Sequence, residues 1–373
     1  MTRGIRRVSS HIVFRRIQVR SFRILSSVDF EPAARLNVIS GDNGQGKTSV
    51  IEAVYLVATS RSFRTEHVAE TLSTGASQAV IAARIEEAGV VREQRVALGA
   101  RARSYRIDGK RPASLASYAT QTPVVVFHPG DLTLVSGPAA GRRRLLDRVA
   151  LFYEPVSADH RTRYQRALRA RQATLEERGP RSPELDAYEA LIAEHGVAFA
   201  GYRRRTAERL IELLSETFGR VAAPGLRLEA VYQAGGSEDR EHFRAALAGR
   251  RLEDRRRGRP SFGPQRDELE LALGSMKARA HASQGQQRVL ALALKLAELS
   301  CLESARGADP VLLLDDVSSE LDPARTGAVY RFLEAARSQV FVTTTRPELL
   351  ATPELVGAER ADFAVVSGRV SRV

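Results

Sequence analysis

A chain of 373 residues that is 43% hydrophobic can bury cores in two or three lobes, which excludes an intrinsically disordered protein. No apolar run approaches the ~20 residues that cross a bilayer, and the basic, Ser-containing start lacks the apolar stretch and cleavage site of a secretory signal. One cysteine, Cys301, cannot form an intrachain disulfide, so a reducing cytoplasm is expected, and 57 Lys and Arg against 44 Asp and Glu (net +13) suggest a polyanionic partner, nucleic acid or an anionic membrane surface.

From His11 to Ile39 the pattern is that of strands, ending in the apolar run Leu36–Ile39. Residues Gly41, Asp42, Asn43, Gly44, Gln45, Gly46, Lys47 and Thr48 follow. They fit the phosphate-binding loop G-x-x-x-x-G-K-[ST] without a mismatch, and Ser49–Val57 reads as an apolar helix. Strand, glycine loop and helix is the context this loop needs: its backbone curls so that successive N–H groups meet phosphate oxygens, and the helix start adds positive potential. Lys47 would reach the β- and γ-phosphates of ATP, and the Thr48 hydroxyl would bind Mg²⁺. The chain's other lysines are Lys110, Lys277 and Lys295, so a strong preference for Arg yields to Lys inside the loop.

Short strands are expected at Gln78–Ile85, Val91–Leu98 and Ser104–Ile107, with Asp108-Gly109 as a hairpin turn. A buried strand follows Pro123. From Arg142 to Phe218 the Ala/Leu/Arg/Glu-rich sequence has helical periodicity, broken at Gly179-Pro180 and Ser182-Pro183, and predicts two long antiparallel helices. The run from Gln233 to Pro260 is less regular, and the core resumes near Gly263. Three segments result: 1–122 with the phosphate loop, 123–262 as a helical lobe or arm, and 263–373 completing the first.

Two later motifs bear on the same chemistry. Val311–Leu314 is a buried strand that delivers Asp315 and Asp316 at its C-terminal end, which suits a Mg²⁺ site beside phosphates. Asp315 would hold the metal and Asp316 would orient the attacking water, with Lys47 as the other catalytic group. Ser283, Gly285 and Gln286 open an apolar helix; by themselves they fit an N-cap as well as a phosphate site.

The order of phosphate loop, Ser283-Gln-Gly-Gln286, Asp315-Asp316 and Ser319-Glu-Leu-Asp322 resembles the ATP-binding-cassette superfamily. The resemblance implies an α/β fold, an ABC-type P-loop ATPase head with an added antiparallel sheet and a helical second lobe. It also implies that Ser283, Gly285 and Gln286 bind the γ-phosphate of ATP held by a partner subunit, so that the site is complete only in an ATP-dependent homodimer. The finer wording resembles the RecF family of bacterial recombination and gap-repair proteins over about residues 11–373. The stretches are Arg61–Thr65, Phe127–Gly137, Arg143–Asp147, Gly263–Leu269, Ala282–Arg288 and Leu312–Asp322. Membership implies slow ATP hydrolysis, binding of single- and double-stranded DNA and gap junctions, no membrane, and a nucleoid-associated cytoplasmic protein. It also implies work with RecR and RecO in placing RecA on gapped DNA.

The chain departs from these patterns in places. Gln265 stands where the family usually has His, Gly130 replaces a common Glu, no Q-loop glutamine follows Pro123, and Phe341–Thr345 lacks the switch histidine of transporter ATPases. Thr343 or Thr344 would sense the γ-phosphate or only occupy a strand. Asp316, shorter than the superfamily's usual Glu, predicts slow turnover. Basic clusters at residues 3–7, 15–23, 61–64, 101–111, 142–144, 203–205 and 255–259 are candidate DNA contacts, with the Asp108-Gly109 hairpin and Arg61 favoured. With no Trp, non-specific backbone contact is expected over base stacking. Competing readings are a transporter ATPase subunit, a chromosome-organising head and a nucleotide-gated scaffold that does not hydrolyse ATP.

Overall fold

A computed structural model describes residues 10–222, 226–316, 337–350 and 359–373, which fall into two compact units. The expected Ser319–Asp322 motif and the basic residues Arg3, Arg6 and Arg7 lie outside the described residues. The first unit takes the chain up to Leu132, a short piece at residues 219–222, and the chain from Arg288; the second lies between Thr133 and Gln287. These divisions differ from the expected ones at 122/123 and 262/263. The strand after Pro123 belongs to the parallel sheet of the first unit, and the segment from Gly263 forms a hairpin sheet of the second.

The elements run β1 (Ser10–Phe22), β2 (Leu25–Phe30), β3 (Leu36–Ser40), α1 (Lys47–Thr59), β4 (Gln78–Glu87), β5 (Val90–Gly99), β6 (Arg103–Ile107), α2 (Leu115–Ala119) and β7 (Val124–Phe127). The second unit holds α3 (Thr133–Ser136), α4 (Ala139–Tyr153), α5 (Ser157–Glu177) and most of α6 (Glu184–Val221), then β8 (Leu228–Gln233), α7 (Arg240–Gly249), α8 (Arg251–Arg257), β9 (Glu268–Leu273), β10 (Met276–Lys277) and α9 (Ala278–His281). The helix α10 (Gln284–Arg306) leads back to β11 (Ala308–Asp309), β12 (Val311–Leu314), β13 (Val340–Thr344), β14 (Arg360–Val366) and β15 (Arg369–Arg372).

The first unit packs two sheets around α1. A parallel sheet in the order β14-β3-β13-β12-β7, with β15 antiparallel on its edge, lies on one side, and on the other a sheet β11-β1-β4-β5-β6, with β2 on β1, that is antiparallel except for the β11–β1 pair. Their shared core includes Phe14, Ile17, Ile81 and Val96 from one sheet, Ile39, Leu313 and Phe341 from the other, and Val50, Val54 and Val57 of α1. Buried amides join the sheets: the Gln339 side chain accepts from Phe14 N–H at 2.8 Å and donates to Phe14 O and Ala33 O at 3.1 and 2.7 Å. The Asp108-Gly109 turn forms as expected, with φ +48° and +72° and Ile107 bridged to Lys110, the torsions of a type I′ turn.

In the second unit the expected two helices are three. Pro155 has no N–H and keeps Glu154 out of the helical region, at φ −139° and ψ 79°, which ends α4 where periodicity alone predicts continuation. The region called irregular contains α7 and α8. Asp239 caps α7 by accepting the His242 N–H at 2.7 Å, and Gly258 ends α8 at φ +64°.

Buried ion pairs organise this unit. Arg171 is fully buried and donates to Glu189 at 2.9 Å, Asp254 at 2.7 Å and Leu247 O at 2.7 Å. Arg203 joins Asp147 at 2.8 Å and Asp267 at 2.6 Å, and Asp267 also accepts from Tyr232 and the Gly235 N–H. Arg142 makes a two-pronged contact with Glu268 at 2.7 and 2.9 Å. Arg142 and Arg203, one member each of two basic clusters considered for DNA, are therefore internal. Removing one partner of such a pair strands the other charge. Arg171→Ala should lower unfolding free energy by about 3–5 kcal/mol, against about 0.5 kcal/mol for exposed Arg163→Ala, in urea titrations of the full chain; equal effects would refute the role given to Arg171.

Candidate nucleotide-binding site

The phosphate loop leaves β3 at the C-terminal end of the parallel sheet and enters α1, which is buried along almost its whole length. Gly41 is required by close approach: at φ +148° a Cβ there would lie 2.4 Å from Val365 O of the neighbouring β14. Gln45 ties the loop to the β14–β15 turn, its side-chain oxygen accepting the Ser367 N–H at 2.7 Å and its backbone oxygen the Gly368 N–H at 2.9 Å. Lys47 is buried, and its Nζ donates to Gly41 O at 2.7 Å and Asp42 O at 2.8 Å. The ammonium thus lies within the curl of the loop, where phosphate oxygens would meet it.

The acidic strand arrives beside this loop because β13 separates β3 from β12, with Leu314 paired to Val342 and Ser40 to Thr344. Asp315 Oδ1 accepts the Thr48 hydroxyl at 2.9 Å and the Thr343 hydroxyl at 2.8 Å. Burial pushes the Asp315 carboxyl above the usual carboxylate range, and the Thr343 and Thr48 hydrogen bonds act against that shift. Asp316 follows in a left-handed conformation, φ +54°, with its N–H on Thr343 Oγ1 at 2.9 Å. The sequence pairing of Thr48 with Asp315 is thus met in space. A hydroxyl and a carboxylate at this separation are the hard oxygen pair that Mg²⁺ takes, keeping water on its remaining positions. Thr343 is engaged by both acidic residues rather than directed at a phosphate, a positioning role the sequence did not reveal.

A second feature missed in sequence is Glu52, fully buried on α1. It accepts Arg23 through two nitrogens at 3.0 and 2.8 Å, Ser62 Oγ at 2.5 Å and Arg64 at 3.2 Å. The Arg61–Thr65 stretch is thereby fastened to the helix behind the phosphate loop, and Arg64 is committed to a carboxylate rather than presented alone. An apolar-helix reading of Ser49–Val57 gives Glu52 no partner; only the fold brings Arg23 to it.

In the second unit Ser283 and Gln286 form a reciprocal cap at the start of α10: Ser283 Oγ accepts the Gln286 N–H at 3.3 Å, and Gln286 Oε1 accepts the Ser283 N–H at 2.8 Å. The N-cap reading is therefore realised. Ser283 is exposed, and this cap uses its hydroxyl only as an acceptor, so the O–H can still donate to an anion. Gln265 is structural here: it accepts the Tyr164 hydroxyl and donates to Phe262 O at 2.8 Å.

A family model described as the RecF/RecN/SMC N-terminal domain matches residues 13–359. The chain is 40% identical over 367 residues to the DNA replication and repair protein RecF of Anaeromyxobacter dehalogenans strain 2CP-1, covering 95% of this chain and 98% of that one. It is 36% identical over 365 residues to the protein of that name from Geobacter sulfurreducens, covering 96% and 99%. Among solved structures, that of the recombination mediator protein RecF with ATP, in the RecFOR pathway, superposes with TM-score 0.87 at 26% identity over 97% of this chain and 98% of that one. An Smc head domain from Pyrococcus furiosus, at 18% identity and TM-score 0.55 over 97% and 96%, shares the fold alone. The fold is thus the expected ABC-type ATPase head with an added antiparallel sheet and a helical lobe, and the chain belongs to the RecF family.

Proposed function

We propose that the chain is an ATP-gated DNA clamp of recombinational repair and replication restart, acting in the nucleoid-associated cytoplasm with RecR and RecO to place RecA on gapped DNA. The observation that carries the nucleotide part is the junction of Thr48 and Asp315 beside a loop-enclosed Lys47. Bound there, Mg²⁺ would neutralise charge on the β- and γ-phosphates. Loop N–H groups and Lys47 bind the phosphates, Thr343 fixes the acidic pair, and Asp316 orients the attacking water. Ser283, Gly285 and Gln286 bind the γ-phosphate of ATP on a second copy, so that ATP joins two chains. Light scattering tests this. Wild type should double its mass only with ATP and Mg²⁺, Ser283→Arg should stay monomeric while still binding ATP, and Lys47→Arg should neither bind ATP nor dimerise. An ATP-independent mass would refute the composite site.

Asp316 also separates the clamp from a scaffold that never hydrolyses ATP. Its short side chain and constrained backbone support slow turnover. Asp316→Asn should cut steady-state hydrolysis by at least about tenfold while ATP-dependent dimerisation persists; unchanged turnover would favour the scaffold.

DNA is assigned to the outward face of the antiparallel sheet. Its register aligns Arg106 with Arg95, Arg95 with Ala82, and Val80 with Arg20; Arg84, two residues on from Ala82, lies between Arg16 and Glu93. None of Arg20, Arg84, Arg95 and Arg106 forms an ion pair with a carboxylate among the described residues. Arg84 and Arg95 stand alone in sequence, so no cluster marked them. Affinity for a short duplex should fall with salt at a log–log slope of about −0.9 per phosphate contacted. Arg84→Glu with Arg95→Glu should weaken binding on any sequence and flatten that slope by about two contacts; an unaltered slope would place the DNA elsewhere.

A further inference from the structure

β7 and β12 run parallel with Phe127 opposite Leu314, and the Asp315 N–H donates to Phe127 O at 2.8 Å. His128 therefore stands beside Asp315 at the C-terminal edge of the sheet. Alternation along the strands puts His128 on the face of Val126, and Asp315 on the face of Leu313. Val126 and Leu313 pack in the core that contains α1. The imidazole thus lies on the side from which Thr48 reaches Asp315. Its ring is 4.8 Å from that of Phe63, which meets Tyr55 of α1 edge-on at 5.6 Å.

The hydrogen bonds fix the tautomer. Nδ1 accepts the Gly130 N–H at 3.1 Å, so the proton is on Nε2. From Nε2 to Asp131 Oδ1 is 3.8 Å, too long for a hydrogen bond. Nε2–H is a positioned donor with no acceptor within hydrogen-bond range among the described residues. Gly130 makes this pose possible: a Cβ there would fall 2.6 Å from the imidazole Cε1 and 3.0 Å from Nδ1. His128 and Gly130 are a matched pair, and any larger residue at 130 displaces the ring.

We propose that His128 is a positioning residue of the nucleotide site, its Nε2–H donating to an oxygen of the Mg²⁺–ATP group seated against Asp315 and Thr48, in the place where a Q-loop glutamine is missing. The inference rests on the ATP reading above. The test is titration of the full chain with N-methylanthraniloyl-ATP, with Mg²⁺ and with EDTA, alongside the imidazole ¹⁵N resonance of His128. Wild type should show a Mg²⁺-dependent gain in affinity and a shift of the Nε2 resonance. His128→Ala should reduce that gain about tenfold, as loss of an outer-shell partner does, and leave affinity in EDTA unchanged. His128→Gln, which keeps an N–H donor, should restore most of it, and Gly130→Glu should resemble His128→Ala by displacing the ring. A wild type that binds no nucleotide overturns the ATP reading and this inference with it. A wild type that binds, while His128→Ala keeps its full Mg²⁺-dependent gain or His128→Gln fails as His128→Ala does, overturns this inference alone.

Discussion

One carboxylate oxygen sets the architecture of the nucleotide end. Asp315 Oδ1 takes hydroxyls from Thr48, at the start of α1, and Thr343, at the end of β13. A buried carboxylate without partners is costly, and here the partners come from two separate elements. The loop's curl, the first turn of α1 and the ends of two strands are therefore placed relative to one another by a single acceptor. Ser367 and Gly368 fasten the far side of the loop through Gln45. A pocket for phosphates preformed in this way spends little binding energy on ordering its own backbone.

Arginine, not apolar surface alone, does much of the remaining work. Arg171, Arg203 and Arg142 sit inside the helical unit with their carboxylates, and Arg23 with Arg64 neutralises Glu52. The planar guanidinium meets two carboxylates or a carboxylate and a carbonyl at once, which an ammonium does less well. These internal pairs join five arginines to six carboxylates, so part of the arginine content is structural while the net positive charge of +13 is carried by the rest of the chain.

What was legible follows from range. The phosphate loop, the strands β4 to β6 and the Asp108-Gly109 turn are specified within a few residues, and they stand where periodicity and turn chemistry put them. The Asp315 position was readable because an apolar strand ending in acid has few other uses beside such a loop. Misread or missed were effects set by a single residue or by register. Pro155 cut one helix in two, a well-placed Asp239 cap started another, and Thr343, Glu52 and Arg95 acquire meaning only through partners remote in sequence or across strands. Ser283 illustrates a different limit: cap and anion site use the same atoms, and finding the cap does not remove the other use.

The strand β1 links the two ends of the first unit. Arg20 lies on its outward face, and Arg23, in the turn that follows, is clamped to Glu52 on the helix that begins at Lys47. Glu52 is fully buried and takes Arg23 on both oxygens, with Ser62 and Arg64 as its further partners, so the β1–β2 turn is tied to α1 through a shared buried carboxylate. The helix that follows the phosphate loop and the strand that carries Arg20 are thus joined by one buried ion pair in addition to their shared apolar core.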